Sequence, residues 1–309
     1  IEGRVRMDIR QLNALVAVVD HGTFSAAARS LHTVQSNVST HIARLERDLG
    51  VALIDRSTGT LTEEGEVVVA RARRVQAELE AIRLDVTALR DEVAGVMRTG
   101  VIGTTGRWLL PRLLEEVAVR HPRVRIQVVD ATTTSLLPQV VAGSLDGAIV
   151  NLPIDHPDVE VEPLFEEDPM LVAPHDHPLA AYDLVEPQDL ANYPLLLNPQ
   201  GVAFRDAIDA DLEPFGLTLT AKAEVDGMRL LASLAADGFG AAVLPATAAS
   251  SAGNWKRVPV RGLSRRIVGF ISNRRVPASA TTRAVREVLR QVVHTHAEAQ
   301  EGIHPSLGG

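Results

Sequence analysis

The sequence predicts a multidomain fold: a small all-α domain with a short β-ribbon, one long helix, and an α/β domain of two lobes. At roughly 100 to 200 residues per domain, a chain of 309 residues has room for two or three domains. Hydrophobic residues make up 46% and charged residues 23% of the chain, which is typical of folded domains. The period of the hydrophobic residues changes twice along the sequence, and each change separates two of these parts.

Composition excludes several classes of protein and of site. The chain has no cysteine, which excludes disulfides, zinc–thiolate sites and cysteine nucleophiles. Residues 1–10 lack the apolar run of a secretory signal, and no long uncharged apolar run predicts a membrane helix. We therefore expect a cytoplasmic protein with no membrane partner, no metal and no cofactor, in which residues 1–4 are an expression-tag remnant.

Three short helices are predicted between Met7 and Thr62. The first ends at Gly22, and the second covers Ser25–Leu31 with Ser25 as its N-cap. The third covers Gln35–Leu49, and its aliphatic and polar residues fall on opposite faces of a helix. The face expected to be buried carries Val38, Ile42, Leu45 and Leu49, and the opposite face carries Asn37, Thr40, Arg44 and Arg47. Short helices this close in sequence favour a helix-turn-helix.

A β-ribbon and a long helix are predicted next. Ile54–Thr62 is expected to form two short strands that turn at Gly59, which would be the wing of a winged helix-turn-helix domain of residues 7–64. Thr62 is a suitable N-cap for the long helix, and Glu63 and Glu64 in its first turn are stabilised by the helix dipole.

The long helix carries a heptad pattern that predicts a partner helix. Aliphatic residues recur at alternating steps of 4 and 3, and they are Val68, Ala72, Val75, Leu79, Ile82, Val86, Leu89 and Val93. We predict that residues 65–94 form a linker helix that dimerises the chain, chiefly through Val75, Leu79, Ile82, Val86 and Leu89. The alternative is a single amphipathic helix lying on its own domain. Gly95 and Gly100 are expected to bracket a hinge-like linker after the helix.

Short apolar strands alternate with helices in the rest of the chain. Strands predicted at 101–104, 124–130 and 147–151, with helices near 109–120 and 135–142, indicate a parallel βαβαβ sheet. Further strands are predicted at 170–173, 195–198, 221–225, 241–244 and 267–272, and further helices at 203–215, 228–236 and 281–296. We expect residues 302–309 to be disordered.

The amino-terminal segment resembles the LysR-type transcriptional regulators over about 60 positions. The resemblance is carried by Met7–Leu12, Gly22–Ala28, Leu31, His32, Gln35, Ser39, Ile42, Leu45, Glu46, Leu49–Val51, Leu53, Arg56, Leu61, Thr62 and Gly65. Many members place serine before, and proline after, the glutamine that opens the recognition helix, where this chain has Val34 and Ser36. Thr33 is therefore predicted to be the substitute N-cap of this helix.

The remaining sequence resembles the effector domain of the same family. The matching segments are Leu110-Pro111, Leu113-Leu114, His121-Pro122, Gly143–Ile149 and Gly238–Pro245. The resemblance implies two lobes of periplasmic-binding-protein type within residues 95–298: lobe I at about 101–164 and 265–298, and lobe II at about 165–264. It also implies a regulator whose promoter binding changes when a small molecule binds between the lobes. The implied partners are double-stranded DNA with a two-fold site, further copies of the chain in a homodimer or homotetramer, and RNA polymerase; activation and repression stay open.

DNA binding by this chain must depend on individual side chains and not on a high overall positive charge. The net charge is −8, and residues 7–62 contain five arginines and five acidic residues, so no broad basic surface is expected. Gln35, Asn37 and Arg44 are predicted to contact bases, because amides pair with adenine and arginine with guanine. The other predicted DNA contacts are Ser25, Thr33, Ser36, Ser39, Thr40 and, in the wing, Arg56. For each residue the alternative is a solvated face.

Polar residues follow the predicted strands where ligands bind to open α/β sheets. The predicted effector-binding residues are Thr104, Thr105, Arg107, Thr132, Thr133 and Asn151 in the first lobe, and Asn198, Gln200 and Asp226 in the second. Neutral donors beside helix starts, together with Arg107, favour an anionic effector. The alternative is that the threonines only cap their own helices.

Two other classes of protein are less consistent with the sequence. The sequence contains no Walker phosphate loop, HExxH or GxSxG motif, so we predict that the protein is not an enzyme. A cytoplasmic solute-binding protein without a DNA role would share the two-lobe fold, but it would leave Met7–Val93 unexplained.

Overall fold

A computed structural model describes residues 7–88, 93–248 and 253–306. The described chain forms two compact units: the first contains the residues up to 88 and residues 141–144, and the second contains the others. Within the described ranges, no helix is both long enough and apolar enough to cross a membrane.

The first unit is built from four helices: α1 (Ile9–His21), α2 (Phe24–Ser30), α3 (Gln35–Leu49) and α4 (Glu63–Ala88). Gly22 and Gly50 end α1 and α3 in the left-handed conformation, with φ values of 73° and 75°, which glycine adopts without strain. The predicted apolar face of α3 is confirmed: Val38, Ile42 and Leu45 are buried in the core of this unit, and Leu49 is partly buried against it.

Two predicted helix caps are wrong. Ser25 does not cap α2, because the helix begins at Phe24 and the side chain of Thr23 accepts a hydrogen bond from the Ala26 N–H. Thr33 does not cap α3, because Val34 occupies the N-cap position and makes no side-chain bond there. The Thr33 hydroxyl oxygen instead accepts a hydrogen bond from the Asn37 amide at 2.9 Å. In both helices the residue with the extended backbone of an N-cap lies one or two positions away from the residue predicted as the cap.

The predicted ribbon is present in reduced form. A single antiparallel bridge joins Ile54 to Leu61, the Asp55 N–H donates to the Thr60 carbonyl, and Gly59 has a positive φ of 74° at the turn. The predicted cap of α4 is confirmed, since the Thr62 hydroxyl accepts from the Gly65 N–H at 3.0 Å. The ribbon therefore ends where α4 begins.

The second unit contains two sheets and their covering helices. Its strands are β1 (Ala94–Val101), β2 (Arg123–Asp130), β3 (Gly147–Leu152), β4 (Val159–Glu167), β5 (Pro169–Pro174), β6 (Leu195–Leu197), β7 (Ala221–Glu224), β8 (Ala242–Pro245), β9 (Trp255–Pro259), β10 (Arg266–Asn273) and β11 (Ile303–Pro305). Its helices are α5 (Gly103–Arg120), α6 (Thr133–Ala142), α7 (Pro187–Ala191), α8 (Ala203–Leu212), α9 (Met228–Ala236) and α10 (Ala280–His296), with short 3₁₀ helices at Pro178–Ala181 and Glu213–Phe215.

The two sheets define two lobes joined by two crossings. The first sheet has the order β11-β4-β10-β3-β1-β2, and the second has the order β7-β6-β8-β5-β9. The predicted parallel βαβαβ arrangement is confirmed, because β1 pairs in parallel with both β2 and β3. The chain passes from the first lobe to the second between β4 and β5 and returns before β10, which pairs antiparallel with β3 and β4. Helices α5 and α10 pack on the first sheet, and α9 packs on the second.

The first predicted strand of this unit is misplaced. The structure has β1 at Ala94–Val101 and α5 from Gly103, so the predicted strand at 101–104 is wrong, and Gly95 and Gly100 lie inside a strand rather than around a hinge. Gly100 has a packing role: a Cβ there would lie 2.6 Å from the Leu136 side chain and 3.0 Å from the Ala148 Cβ. A residue that looks like a linker signal in sequence is thus a close-contact position in the sheet.

The carboxyl-terminal tail is partly ordered. Residues 302–309 were expected to be disordered, but Ile303–Pro305 forms β11 and pairs antiparallel with β4, while residues 307–309 lie outside the described residues. Strands β4 and β9 were also not predicted. The Glu residues of β4 at 160, 162 and 166 pair with arginines of neighbouring elements, so partners distant in sequence support this polar strand.

Candidate DNA interface and ligand cleft

The polar face of α3 is exposed along its length. Three of the predicted DNA contacts, Asn37, Thr40 and Arg44, lie on this face with exposed side chains. Three more, Gln35, Ser36 and Ser39, are exposed in the first turns of α3. Thr40 donates its hydroxyl to the Ser36 carbonyl at 2.7 Å, as is common for threonine inside a helix. Within the described part of the chain, Gln35, Ser39 and Arg44 make no side-chain hydrogen bond or ion pair. Their donors and acceptors are therefore free to meet a groove edge.

The remaining predicted DNA contacts flank this face. Thr33 is half-buried, and the Ser25 hydroxyl oxygen accepts a hydrogen bond from Arg29 at 3.2 Å. The Arg56 side chain is 86% exposed and lies 3.9 Å from the Glu46 carboxylate. That carboxylate accepts hydrogen bonds from the Leu53 and Ile54 N–H groups, so it fixes the ribbon and leaves the Arg56 guanidinium largely open to solvent.

Two acidic residues near the DNA-binding helices bond to the backbone of this unit. Asp8 caps α1 and forms a capping box with Gln11. Asp55 accepts hydrogen bonds from the hydroxyl and the N–H of Ser57, and these bonds hold the pKa of its carboxyl below the ordinary value. Since these carboxylates stabilise a helix start and a turn, they lie away from the polar face of α3, although residues 7–62 contain as many acidic residues as arginines.

The exposed half of the heptad pattern in α4 is a continuous aliphatic stripe. Val68 is partly buried and Ala72 is buried, whereas Val75, Leu79, Ile82 and Val86 are 39%, 42%, 55% and 56% exposed. Leu89 lies outside the described residues. An exposed stripe of large aliphatic side chains is typical of an interface.

A cavity of about 340 Å³ lies between the two lobes. It is lined by Val101, Gly103, Thr104, Gly106, Arg107, Leu110, Asp130, Arg229, Ala232 and Ala248. Seven of these residues come from the ends of β1 and β2 and the start of α5, and the other three come from α9 and the segment after β8. The cavity thus lies at the carboxyl ends of parallel strands, where open α/β folds bind ligands.

The predicted effector residues of the first lobe divide into two groups. Thr104 and Arg107 line the cavity. Thr105 is fully buried in the same helical turn, and its hydroxyl has no hydrogen-bond partner among the described residues. Thr132 and Thr133 do not line the cavity: the Thr132 hydroxyl contacts Thr134 and Ser135, and the Thr133 hydroxyl accepts from the Asn151 N–H.

The predicted effector residues of the second lobe do not line the cavity. Asn198 is buried, and its amide donates to the Val225 carbonyl at 2.8 Å, so it joins two neighbouring strands. Gln200 and Asp226 are exposed.

Sequence reasoning missed two charged residues that line the cavity. Asp130 is the last residue of β2, and Arg229 lies in the first turn of α9; their side chains form an ion pair between the lobes. Both positions follow the same rule that selected the predicted residues, since one ends a strand and the other begins a helix. The place of each residue at the end of a strand or the start of a helix is therefore the sequence signal that could identify it.

A buried charge pair lies where the strands cross between the lobes. Glu167 is fully buried at the end of β4, and its carboxylate accepts from the Arg266 guanidinium and from the Thr247 N–H in the second lobe. Arg266 also contacts the Thr104 hydroxyl at 3.3 Å. Since Thr104 lines the cavity, these contacts connect the cavity wall to the crossing strands.

Comparison with protein families identifies both units. A model described as the LysR substrate binding domain matches residues 90–294, and one described as the bacterial regulatory helix-turn-helix protein of the lysR family matches residues 9–66. The chain belongs to the LysR family. It is a DNA-binding transcription regulator and not an enzyme, and the helix-turn-helix match overturns the alternative of a solute-binding protein without a DNA role.

LysR-type relatives and solved structures cover most of the chain. It is 36% identical to a probable hydrogen peroxide-inducible genes activator of Streptomyces viridosporus, over 79% of this chain and 80% of that protein. It is 32% identical to the dual regulator OxyR of Escherichia coli, over 78% and 80%. A full-length OxyR cysteine variant from Pseudomonas aeruginosa has a TM-score of 0.74 at 27% identity, covering 94% of this chain and 95% of that one.

Proposed function

We propose that this LysR-type regulator binds a two-fold promoter site as a homodimer or tetramer and that a small molecule in the cavity between its lobes changes promoter binding. Residues 7–64 would contact DNA, 65–94 would dimerise the chain, and 95–298 would bind the effector. Exposed polar side chains of α3 carry this proposal, because Gln35 in its first turn and Arg44 on its polar face present unpaired hydrogen-bonding groups of the kind that contact base edges.

A binding titration with a Gln35 variant tests the role of α3. In Gln35→Ala, we expect the affinity for the specific operator to fall about 5- to 150-fold, the loss of one bidentate base contact of about 1–3 kcal/mol. Binding to unrelated DNA should change little, because phosphate contacts remain. The matched control is Gln188→Ala, an exposed glutamine of α7. An unchanged ratio of specific to non-specific affinity in Gln35→Ala would refute this role; the operator is sought upstream of the encoding gene.

The effector is proposed to be a small anion bound at the start of α5. The first N–H groups of a helix lack partners within it, and Ile102 at the N-cap supplies no side-chain bond. Arg107 in the second turn of α5 is exposed and makes no ion pair among the described residues. Together these groups favour a carboxylate. A thermal-shift comparison of small carboxylates with their neutral amides tests this preference, and equal shifts for acid and amide would contradict it.

The activating signal is proposed to differ from thiol oxidation. Several relatives are named for induction by hydrogen peroxide, whereas this chain has no cysteine. Thiolates, not other side chains, are the groups that peroxide converts reversibly to sulfenic acid or disulfide. A reversible ligand in the cavity is therefore the signal that this chain can accommodate. If the regulator activates transcription, RNA polymerase is the further partner it would contact.

A further inference from the structure

We propose that the Asp130–Arg229 ion pair holds the two lobes together at the cavity, and that an acidic effector acts by replacing Asp130 as the partner of Arg229. This inference rests on the proposed function, since it assigns a regulatory role to residues of the same cavity. The two residues are called the cleft ion pair below.

The position of the cleft ion pair makes it a link between the lobes. Asp130 ends β2, an edge strand of the first sheet, and Arg229 lies in α9, which packs on β5 and β8 of the second sheet. The Arg229 guanidinium donates to the Asp130 carboxylate, and both residues line the cavity. A change in the separation of the lobes at this point must therefore stretch or break the pair.

The pair lies directly over the start of α5. A Cβ built on Gly103 would lie 2.9 Å from the Arg229 Cδ and 2.9 Å from an oxygen of the Asp130 carboxylate. Glycine is thus the residue that allows this close approach. The positive end of an 18-residue helix faces this region, and α5 has no acidic residue in its first turn. The Asp130 carboxylate consequently occupies the region where the helix dipole would stabilise an external anion.

The pair is weak enough to be exchanged. The side chains of Arg229 and Asp130 are 71% and 37% exposed, and water screens ion pairs with such exposure. We expect its loss to change the equilibrium between joined and separated lobes by no more than about fivefold. An acid that binds both Arg229 and the start of α5 can supply that difference, whereas a neutral ligand of the same shape leaves Asp130 in place.

The absence of cysteine allows a direct test in the full-length chain. Thr295→Cys on α10 and Glu213→Cys in the second lobe introduce two exposed thiols, which are then the only thiols in the chain. Spin labels at both sites report the distance between the lobes by pulsed electron resonance. Excess unlabelled chain is added so that most dimers carry labels on one subunit.

The distance between the two labels is measured without any effector in four variants: Asp130→Asn, Arg229→Gln, the double variant, and the control Asp237→Asn. Asp237 follows α9 and is an exposed aspartate. We expect each single variant to shift the population toward longer distances about two- to fivefold, with no further shift in the double variant. Unchanged distances in both single variants, or an equal shift in Asp237→Asn, would overturn the proposal.

The same labels test the exchange with benzoate, succinate and inorganic phosphate as probes and benzamide as the neutral control. An acid that changes the distances in the unmodified chain, and has no effect in Arg229→Gln, supports the exchange, because an acid between Arg229 and the start of α5 joins the lobes at a separation different from that of the direct ion pair. An acid that binds without changing the distances overturns it. If no acid binds in a thermal-shift assay but Asp130→Asn still separates the lobes, the anionic effector of the proposed function fails while the link between the lobes stands.

Discussion

His177 illustrates how burial of a single side chain makes stability depend on pH. Its Nδ1 atom accepts a hydrogen bond from the Leu179 N–H at 3.2 Å, which caps the 3₁₀ helix Pro178–Ala181. Its ring packs edge-on against Tyr193, with centroids 5.6 Å apart. Burial lowers the pKa of His177 below 6.5, and the positive charge of Lys222 lowers it further. A protonated ring would also lose the acceptor that caps the helix.

This shift gives a prediction for the second unit. Because the folded pKa is depressed, the contribution of neutral His177 to stability is present above pH 6.5 and is lost as the pH falls through the folded pKa. Asparagine keeps a capping acceptor but does not titrate. We expect His177→Asn to lose less stability than the unmodified chain between pH 7 and pH 5, measured by urea unfolding. Equal losses in the two proteins would show that other groups set the pH dependence.

Glu166 and Glu167 are adjacent acids whose substitutions should differ in cost. Glu167 is fully buried and pairs with Arg266, so Glu167→Ala leaves a buried guanidinium without its partner and should cost about 3–5 kcal/mol of unfolding free energy. Glu166 pairs with Arg265 at the surface, with its side chain 41% exposed, and Glu166→Ala should cost at most about 1 kcal/mol. Urea unfolding of both variants measures the difference; similar costs would contradict a buried role for Glu167.

Among the secondary-structure elements, the spacing of neighbouring apolar residues correctly predicted those that bury a single apolar face. The helix Gln35–Leu49 was placed correctly because its apolar and polar residues separate by the helical period and Gly50 ends it. The helix Met228–Ala236 was placed correctly for the same reason. Strands β4 and β11 were missed because they pair with each other, and β4 also pairs with β10 and with arginines more than 90 residues away, none of which a local window contains.

Contacts between residues distant in sequence also limited the prediction of the residues that line the cavity. Thr104 and Arg107 were predicted from their place after a strand, and both line the cavity. Asn198 was predicted by the same rule, but its amide is bonded to the Val225 carbonyl, a contact that depends on the register of β6 and β7. Asp130 and Arg229 were not predicted because neither residue stands out on its own in the sequence. Their ion pair between the lobes becomes apparent only in the three-dimensional structure. The sequence therefore identifies the edge that binds ligands better than it identifies the individual side chains.

For the whole molecule, dimerisation should determine how tightly this LysR-type regulator binds DNA. One helix-turn-helix domain with no net positive charge has few phosphate contacts, whereas two domains linked by α4 gain effective concentration on a two-fold site. The aliphatic stripe that would pair two copies of α4 is exposed in the single chain, with Ile82 near its centre at 55% exposure. A charge placed there would have to be buried without a partner in the dimer.

We expect Ile82→Glu to be monomeric by sedimentation velocity at concentrations where the unmodified chain is a dimer. Its operator affinity should fall about 10²- to 10⁴-fold, because the second domain no longer binds intramolecularly. The salt dependence of binding should also weaken, since about half of the phosphate contacts are lost. Val67→Glu is the matched control, because Val67 is 59% exposed but lies outside the heptad pattern. A dimeric Ile82→Glu, or an equal loss of affinity in Val67→Glu, would show that the stripe of α4 is not the interface.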